Sequence, residues 1–222
     1  MTEPGGYSTN TEDMRAVHAA LLGAFGSADA LVDTATADPG SVAIVASFYT
    51  NVIEFLHVHH TGEDQLVYPL LEERCPEQAE LIRAVNVQHL TLDEPMAAAA
   101  KAVDRWQAVP TAASAADAAA ALGTVETILR PHLTDEEDDI LPIASAYLSE
   151  EEWAQLPPHA LQTFAADKPW LALGLVRERL TDEQRAVTLA GMPPPLQQLW
   201  VNEWEPAFNG FIAQVRDIAP TA

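Results

Sequence analysis

One pattern occurs twice in this chain: a histidine, a glutamate four residues later, and a proline six residues after the glutamate. The two copies are His59-x-x-x-Glu63 and His132-x-x-x-Glu136, and they are offset by 73 residues. Residues four apart on a helix lie about 40° apart around the axis and about 6 Å along it, so each histidine and its glutamate can reach one ion. The repeat therefore predicts two helices that each point two polar side chains in one direction.

Two further histidines, His18 and His89, are offset by 71 residues, which is close to the offset of the first pattern. The spacing therefore predicts two copies of a helix pair, and each copy carries one histidine on its own and one His-Glu unit. The spacing alone is weak evidence, because a chain with 33 acidic residues also places Asp64 and Asp93 four positions after a histidine.

Stronger evidence comes from the residues around these histidines, which form apolar stripes at steps of three and four along each helix. The apolar residues nearest to the four histidines on these stripes are Leu21, Phe55, Leu92 and Leu129. An apolar stripe faces the core of a helical bundle, so the four histidines and both glutamates are predicted to point into one core.

Burial of these side chains as ordinary hydrogen-bonded pairs is the alternative interpretation. It is disfavoured because a buried carboxylate costs several kcal/mol even after relaxation, and this core would hold two of them beside four imidazoles. A metal cluster supplies the compensating positive charge. The predicted metal ligands are therefore His18, His59, Glu63, His89, His132 and Glu136.

The acidic composition restricts the partners of this chain. Its 222 residues include 11 basic and 33 acidic ones, and the formal net charge of −22 argues against nucleic acid or an anionic membrane as a partner. The single cysteine, Cys75, excludes an internal disulfide and a cysteine-based metal site. No long uncharged apolar segment is present, and the first ten residues lack the apolar and basic regions of a leader. We therefore expect a cytoplasmic protein with no membrane partner.

Capping residues and prolines near positions 38, 76 and 110 separate four long helical segments. The segments are predicted at about residues 11–33, 38–73, 76–109 and 111–147. They predict an all-α fold, an up-down four-helix bundle over residues 11–147, preceded by a disordered N-terminal tail over residues 1–10.

From about residue 148 the pattern changes to short helices with new capping signals, and four of the five tryptophans lie there. We predict a C-terminal helical extension over residues 148–222 that packs on the bundle. It could be a cap that buries the outer surface of the bundle, a lid or substrate wall over the metal site, or a dimer surface. The chain is expected to be a monomer or a homodimer.

The order of the predicted ligands, with one single histidine before each His-x-x-x-Glu unit, resembles that of the hemerythrin-like (HHE cation-binding) four-helix bundles. The resemblance covers about residues 11–147, and it is closest to bacterial members with four rather than five histidine ligands. It implies a non-heme di-iron centre in which both glutamates and an oxo or hydroxo group bridge the irons (Fe–O–Fe or Fe–OH–Fe). The oxygen-carrier branch has an additional histidine on its third helix, where this chain has Asp93. This difference argues against reversible oxygen carriage.

The ligand count implied by the resemblance is symmetric. If His18 and His59 hold one iron and His89 and His132 the other, the shared bridges give each iron five ligands and one open position. Imidazole and carboxylate donors suit iron, and manganese is the alternative metal. His60 stands where some relatives have an extra acidic ligand, so it could approach one iron. It points about 100° away from His59, which favours a role behind the ligands or at the surface.

Open positions on a pair of redox-active ions can bind O₂, peroxide or nitric oxide. We expect a di-iron protein that binds and turns over one of these small oxidants. Peroxide decomposition in oxidant defence, by an enzyme of catalase or peroxidase type, is the leading hypothesis. Two alternatives stay open: a biosynthetic di-iron oxidase that acts on an organic substrate, and a non-catalytic sensor or binder of O₂, NO or iron.

Overall fold

The structure is a computed structural model, and it describes residues 6–219. Over this range the chain forms helices connected by short turns, and none of the described residues belongs to a strand. The all-α fold that the sequence predicts is confirmed.

Four long helical segments, each interrupted once, form the bundle. They consist of α1 (Glu12–Phe25) with α2 (Ala28–Ala35), α3 (Pro39–Leu66) with α4 (Tyr68–Arg74), α5 (Ala79–Asn86) with α6 (Gln88–Ala108), and α7 (Ala112–Asp135) with α8 (Leu141–Tyr147). A short 3₁₀ turn precedes α5, and a π turn joins α7 to α8. These segments correspond to the four helices that the sequence predicts.

Capping residues begin the two helices that carry the His-Glu units. The Asp38 side chain accepts a hydrogen bond from the backbone N–H of Ser41 at 2.8 Å, and a proline occupies the first position of α3. At the start of α7, Thr111 and Ser114 exchange side chain-to-backbone hydrogen bonds as a capping box. These caps satisfy backbone N–H groups that have no partner within the helix.

The prolines of the repeat interrupt both helices just after the glutamate. A proline has no N–H to donate, and its ring collides with the carbonyl four residues earlier. The helix containing His59 ends before Pro69, with a break at Val67. The helix containing His132 widens into the π turn Glu136–Ile140, two residues before Pro142. Single π turns of this kind are frequent at functional sites.

The helical stretch Pro39–Arg74, which comprises α3 and α4, is long and apolar enough to cross a membrane by length and composition. The bent pair α1 and α2 passes the same test only if it is counted as one span. Of the apolar window in Pro39–Arg74, 56% is buried inside the fold, and α3 packs against α1, α2 and α6. Its place at the centre of the bundle accounts for its apolar composition.

The extension contains six further helices. They are α9 (Glu150–Trp153), α10 (Leu156–Thr163), α11 (Pro169–Arg179), α12 (Asp182–Gly191), α13 (Pro194–Leu199) and α14 (Glu205–Ile218). The helix α11 packs on α1 and α3, α10 packs on α3, and α14 packs on α2 and α3. Leu171, Phe208, Ile212 and Val215 belong to the same buried apolar cluster as the bundle residues. The extension therefore covers an outer apolar surface of the bundle.

The predicted disordered tail over residues 1–10 is described only from residue 6. The backbone N–H groups of Tyr7 and Thr9 donate to the carbonyls of Ala146 and Ser145 at 3.1 and 3.0 Å, and the Ser145 hydroxyl donates to Thr9 O at 2.7 Å. This part of the chain therefore lies against α8, which differs from the predicted disorder. Residues 1–5 lie outside the described residues.

Candidate metal centre

Seven polar side chains meet in the middle of the bundle. They are His18 from α1, His59, His60 and Glu63 from α3, His89 from α6, His132 from α7, and Glu136 from the first position of the π turn. None is more than 8% exposed. The structure thus brings the six predicted ligands together and adds His60 to them.

The seven side chains form two groups. In the first, one ligand atom from each of His18, His59, Glu63 and Glu136 lies within 4.8 Å of the others. In the second, the same holds for His60, His89 and His132. The predicted pairing of His18 with His59, and of His89 with His132, agrees with this division.

Both carboxylates lie between histidines of the two groups. Glu63 Oε2 is 3.5 Å from His59 Nε2 and 3.8 Å from His89 Nε2. Glu136 Oε2 is 3.5 Å from the Nε2 atoms of His18 and His132, and its Oε1 is 3.5 Å from His89 Nε2. Charge-assisted hydrogen bonds are about 2.7–2.9 Å long, so these contacts are too long for strong ion pairs. Their arrangement suits two carboxylates that each bridge two cations.

The inward-facing atoms of the six predicted ligands have no hydrogen-bond partner. They are Nε2 of His18, His59, His89 and His132, and Oε2 of Glu63 and Glu136, all buried. Buried polar atoms in proteins almost always have partners, because an unsatisfied one costs about 1–3 kcal/mol. Six such atoms that converge on one space fit metal ions, which accept lone pairs from imidazole and carboxylate alike.

Comparison with protein families identifies the bundle. The family described as hemerythrin HHE cation binding domain matches residues 9–144, more than half of the chain, and the match includes all six predicted ligands. The chain belongs to this family. Comparisons with curated proteins and with solved structures gave no match. The extension lies outside the matched region, so it is an addition to the hemerythrin-like bundle.

Polar side chains orient three histidines of this hemerythrin-like centre from behind. His18 Nδ1 lies 3.0 Å from Glu137 Oε1, and His89 Nδ1 lies 2.8 Å from Asp64 Oδ1. His132 Nδ1 lies 3.1 Å from the side-chain oxygen of Gln88. An acceptor at Nδ1 holds the ring proton there and leaves the lone pair of Nε2 directed inward, as metal-binding histidines require.

Sequence reasoning missed the roles of Asp64 and Glu137, although the signal was present. Each directly follows a glutamate of the repeat, so an acid at this position recurs at the same offset of 73 residues. Each also contacts the single histidine of another helix, and Glu137 is fixed further by Arg15 at 2.5 Å. The repeated unit is therefore His-x-x-x-Glu-acid. Its last residue orients a histidine of another helix and is not itself one of the predicted metal ligands.

Tyr68 is a second residue that sequence reasoning missed. Its hydroxyl donates to Glu136 Oε1 at 2.7 Å, and its side chain is 1% exposed. Burial and the neighbouring Glu136 raise the pKa of Tyr68, so the phenol keeps its proton and remains a donor. This hydrogen bond holds one oxygen of Glu136 and leaves the other free to face the histidines.

The electrostatics keep most of the imidazoles in the neutral, metal-binding form. Burial, followed by a neighbouring imidazole, lowers the pKa of His59 well below its usual value, and burial lowers the pKa of His132 to about 4. Burial also acts to lower the pKa of His89, but its hydrogen bond to Asp64 and the nearby negative charges of Asp64 and Glu136 outweigh this effect and raise the pKa to about 9.

The position of His60 corrects the expectation of a surface role. The side chain is 4% exposed, and its ring stacks on that of His89, with centroids 4.1 Å apart and planes at 17°. A residue 100° away from His59 still faces the core here, because α6 packs on that side of α3 and carries His89 there. The sequence of α3 alone does not show on which side a neighbouring helix packs.

Proposed function

We propose that this hemerythrin-like chain holds two iron ions in the bundle core and decomposes peroxide there. The supporting observation is the set of six converging ligand atoms without partners, divided into two groups by carboxylates that face both. Two bridging carboxylates reduce the repulsion between two divalent cations, and an imidazole and carboxylate donor set suits iron, with manganese as the alternative.

Decomposition of peroxide is favoured because its chemistry is complete with peroxide alone. One peroxide is oxidised to O₂ while a second takes up the two electrons and two protons and becomes two molecules of water. A pair of redox-active ions supplies and accepts these two electrons. No separate reductant is required, so the reaction needs only the ions and access for a small molecule.

The protein side chains hold the ions and keep the ligands oriented. Glu63 and Glu136 face both histidine groups, and Tyr68 holds Glu136 through its hydroxyl. Asp64 and Glu137 fix the rings of the single histidines from behind. Hydrogen bonds of this kind to the ligands hold them in the orientation that metal binding requires.

A surface groove of about 440 Å³ lies beside the centre, and Asp64, Arg83, Leu90 and His89 are among its lining residues. Asp64, which lies 2.8 Å from His89 Nδ1 on the side of the ring away from the ligand atom Nε2, also lines this groove. A bulky substrate in this groove would be separated from the ions by the imidazole. This geometry favours a small oxidant over an organic substrate.

The test is metal analysis of protein produced with iron, followed by spectra and gas measurement during peroxide addition. We expect about two irons per chain, a visible absorption that changes with peroxide, and one O₂ released for every two peroxides consumed. The matched control is Asp93→Ala, since Asp93 is exposed and stands four residues after His89, at the spacing of the ligand pairs. This variant should behave like the natural chain.

Peroxide loss without O₂ would indicate a peroxidase that uses another electron donor and would overturn the proposed dismutation. Iron well below two per chain, in protein that also takes up no manganese, would overturn the two-metal centre itself. Loss of activity in the Asp93 control would show that the assigned ligand frame is wrong.

A further inference from the structure

The metal centre comes nearest to solvent at His59. This residue is 8% exposed, whereas each of the other five predicted ligands is at most 4% exposed. The Nδ1 atoms of His18, His89 and His132 each have a side-chain oxygen behind them, and His59 has no such partner among the described residues. A small molecule that enters the bundle on this side therefore crosses the least protein.

The helix α10 covers the face of α3 that adjoins His59. A Cβ atom added at Gly62 would lie 3.3 Å from Leu156 Cδ2 and 3.4 Å from His159 Cδ2, so α10 approaches α3 where α3 has no side chain. Gly62 follows His59 by three residues, which places it about 60° around the helix axis and about 4.5 Å along it. Leu156 and His159 therefore lie over the part of α3 next to the centre.

The two ends of α10 are held by polar contacts, but the helix itself is packed loosely. Before it, Trp153 donates through Nε1 to Asp13 of α1 at 3.0 Å, and after it the Ala165 N–H donates to Glu54 of α3 at 2.7 Å. None of the described residues Leu156–Thr163 is buried, whereas α11 and α14, which also pack on α3, each bury several. Segments with few buried contacts open most easily, so α10 can lift from α3 while the rest of the extension stays attached.

The contact between α10 and α3 also contains a polar atom without a partner. His159 Nε2, which is bonded to the Cδ2 atom that lies against Gly62, is buried and has no hydrogen bond. Burial of a polar atom without a partner raises the free energy of the state that contains it. When α10 lifts, Nε2 can bind water. The closed position is therefore less stable than it would be with an apolar side chain at residue 159.

We propose that α10 is a lid over the His59 side of the metal centre, and that Leu156 and His159 determine how large a molecule reaches the ions. This role of α10 rests on the two-ion centre of the proposed function. Leu156 and His159 leave little room beside α3 when the lid is closed, so hydrogen peroxide should enter more readily than a bulkier hydroperoxide. The helix lies outside the matched region of the family, so the lid is an addition to the hemerythrin-like bundle.

A lid changes the rates of entry and loss and leaves the affinity unchanged, because both rates scale with the fraction of time that the lid is open. A change in the ligands alters the affinity instead. Two substitutions should move the rates in opposite directions. Leu156→Ala removes a side chain that closes the contact over Gly62, and His159→Leu removes the unpartnered nitrogen while it keeps a side chain of similar size.

The experiment uses metal-free, full-length protein with Co²⁺ as the probe. Rapid mixing measures the rate of Co²⁺ uptake, an excess of chelator measures the rate of loss, and titration gives the affinity. The matched control is Gln162→Ala, because Gln162 is exposed on the same helix. Size selection is measured separately, as the rates at which hydrogen peroxide and tert-butyl hydroperoxide oxidise the reduced, iron-loaded protein. Melting curves of the metal-free variants check the fold.

In Leu156→Ala, we expect Co²⁺ entry and loss to be at least about threefold faster at unchanged affinity, and tert-butyl hydroperoxide to gain more than hydrogen peroxide. In His159→Leu, both Co²⁺ rates should be at least about threefold slower, and the Gln162 control should match the natural chain.

Unchanged Co²⁺ rates in both folded variants would overturn the lid and leave the two-ion centre standing. A changed affinity in either variant would also overturn it, since α10 would then support the ligands. Two bound ions per chain without O₂ from peroxide would instead overturn the proposed peroxide decomposition and leave the lid in place.

Discussion

The four-helix bundle and the C-terminal extension differ in how they bury polar side chains. Ten buried side-chain nitrogen or oxygen atoms within residues 6–219 have no hydrogen-bond partner, and eight of them belong to the central histidines and glutamates of the bundle. The other two, on His159 and Trp200, lie in the extension. The stability of the bundle core therefore depends on a partner that the polypeptide itself does not supply.

The extension is attached by contacts between protein groups. Arg74 donates to both carboxylate oxygens of Glu152 at 2.8 and 2.5 Å, and Trp153 donates through Nε1 to Asp13 at 3.0 Å. Farther along, apolar side chains of α11 and α14 complete the buried cluster of the bundle. Removal of metal should therefore destabilise mainly the bundle. Substitutions that disturb apolar packing should instead weaken the attachment of the extension.

The largest effect is expected from removal of a shared carboxylate. Glu136→Ala deletes the group that faces both histidine groups and accepts the Tyr68 hydrogen bond. Bound iron should fall from about two per chain to less than one, and any absorption from an oxo bridge should disappear. Glu63→Ala should act in the same direction, because Glu63 also lies between the two groups. Elemental analysis and visible spectra measure both changes.

The next effect concerns stability without metal. Removing the cations leaves two carboxylates and the imidazoles buried without partners, so the metal-free protein should melt at a distinctly lower temperature. Metal present at 1,000 times its Kd stabilises the folded state by about 4 kcal/mol. Calorimetry before and after chelation measures the difference, which should shrink when apolar residues replace the ligands together. Identical melting curves would mean that the ligands do not bind metal in the core.

The residues of the centre that the sequence predicts are those that recur with the period of their own helix. His18, His59, His89 and His132 each lie on the apolar stripe of their own helix, so a local pattern shows that they face the core. The glutamates follow from the spacing of four residues. Their identity and their inward direction needed no knowledge of how the helices pack, whereas their division into two groups was implied by the resemblance to the hemerythrin-like bundles.

The remaining residues depend on contacts between helices, which no local pattern encodes. His60 is buried because α6 packs beside it, and Tyr68 reaches Glu136 across 68 residues of sequence. Asp64 and Glu137 recur at the offset of the repeat, but only their hydrogen bonds to His89 and His18 show what they do. The extension was predicted as helices, but its attachment depends on side chains of both regions.

A smaller loss of stability is expected from a substitution at the contact between α11 and α14, two helices of the extension. A Cβ atom added at Gly174 of α11 would lie 2.1 Å from the Phe208 ring of α14, and Phe208 is buried. Gly174→Ala should therefore reduce the free energy of unfolding by about 1–3 kcal/mol through overpacking. Gly123→Ala in α7 is the control, because no atom lies within 4 Å of its added Cβ.

In the control, the alanine should be neutral or stabilise the helix by up to about 1 kcal/mol. Urea unfolding of the iron-loaded proteins measures both values. Iron content should stay unchanged in both variants, since neither glycine belongs to the two ligand groups. If the two variants were equally stable, α11 and α14 would not pack closely enough for a methyl group at Gly174 to collide with Phe208.

The smallest effect is a pH dependence at the junction between bundle and extension. Hydrogen bonds from Arg74 lower the pKa of Glu152 to about 2, against about 4.3 in an unfolded chain. A lowered pKa means that the stabilisation is complete above the unfolded value and is lost as pH falls from about 4.3 towards 2. The Glu152 side chain is partly exposed to solvent, at 26%, so the contribution should stay below about 1 kcal/mol and should decrease with salt. The difference in melting temperature between the metal-free natural protein and metal-free Glu152→Gln should therefore narrow as the pH falls from about 6 to 3. The control is Glu151→Gln, at an exposed neighbouring position, which should show no such change. A difference that stays constant over this range would mean that the charge of Glu152 does not fasten the extension to the bundle.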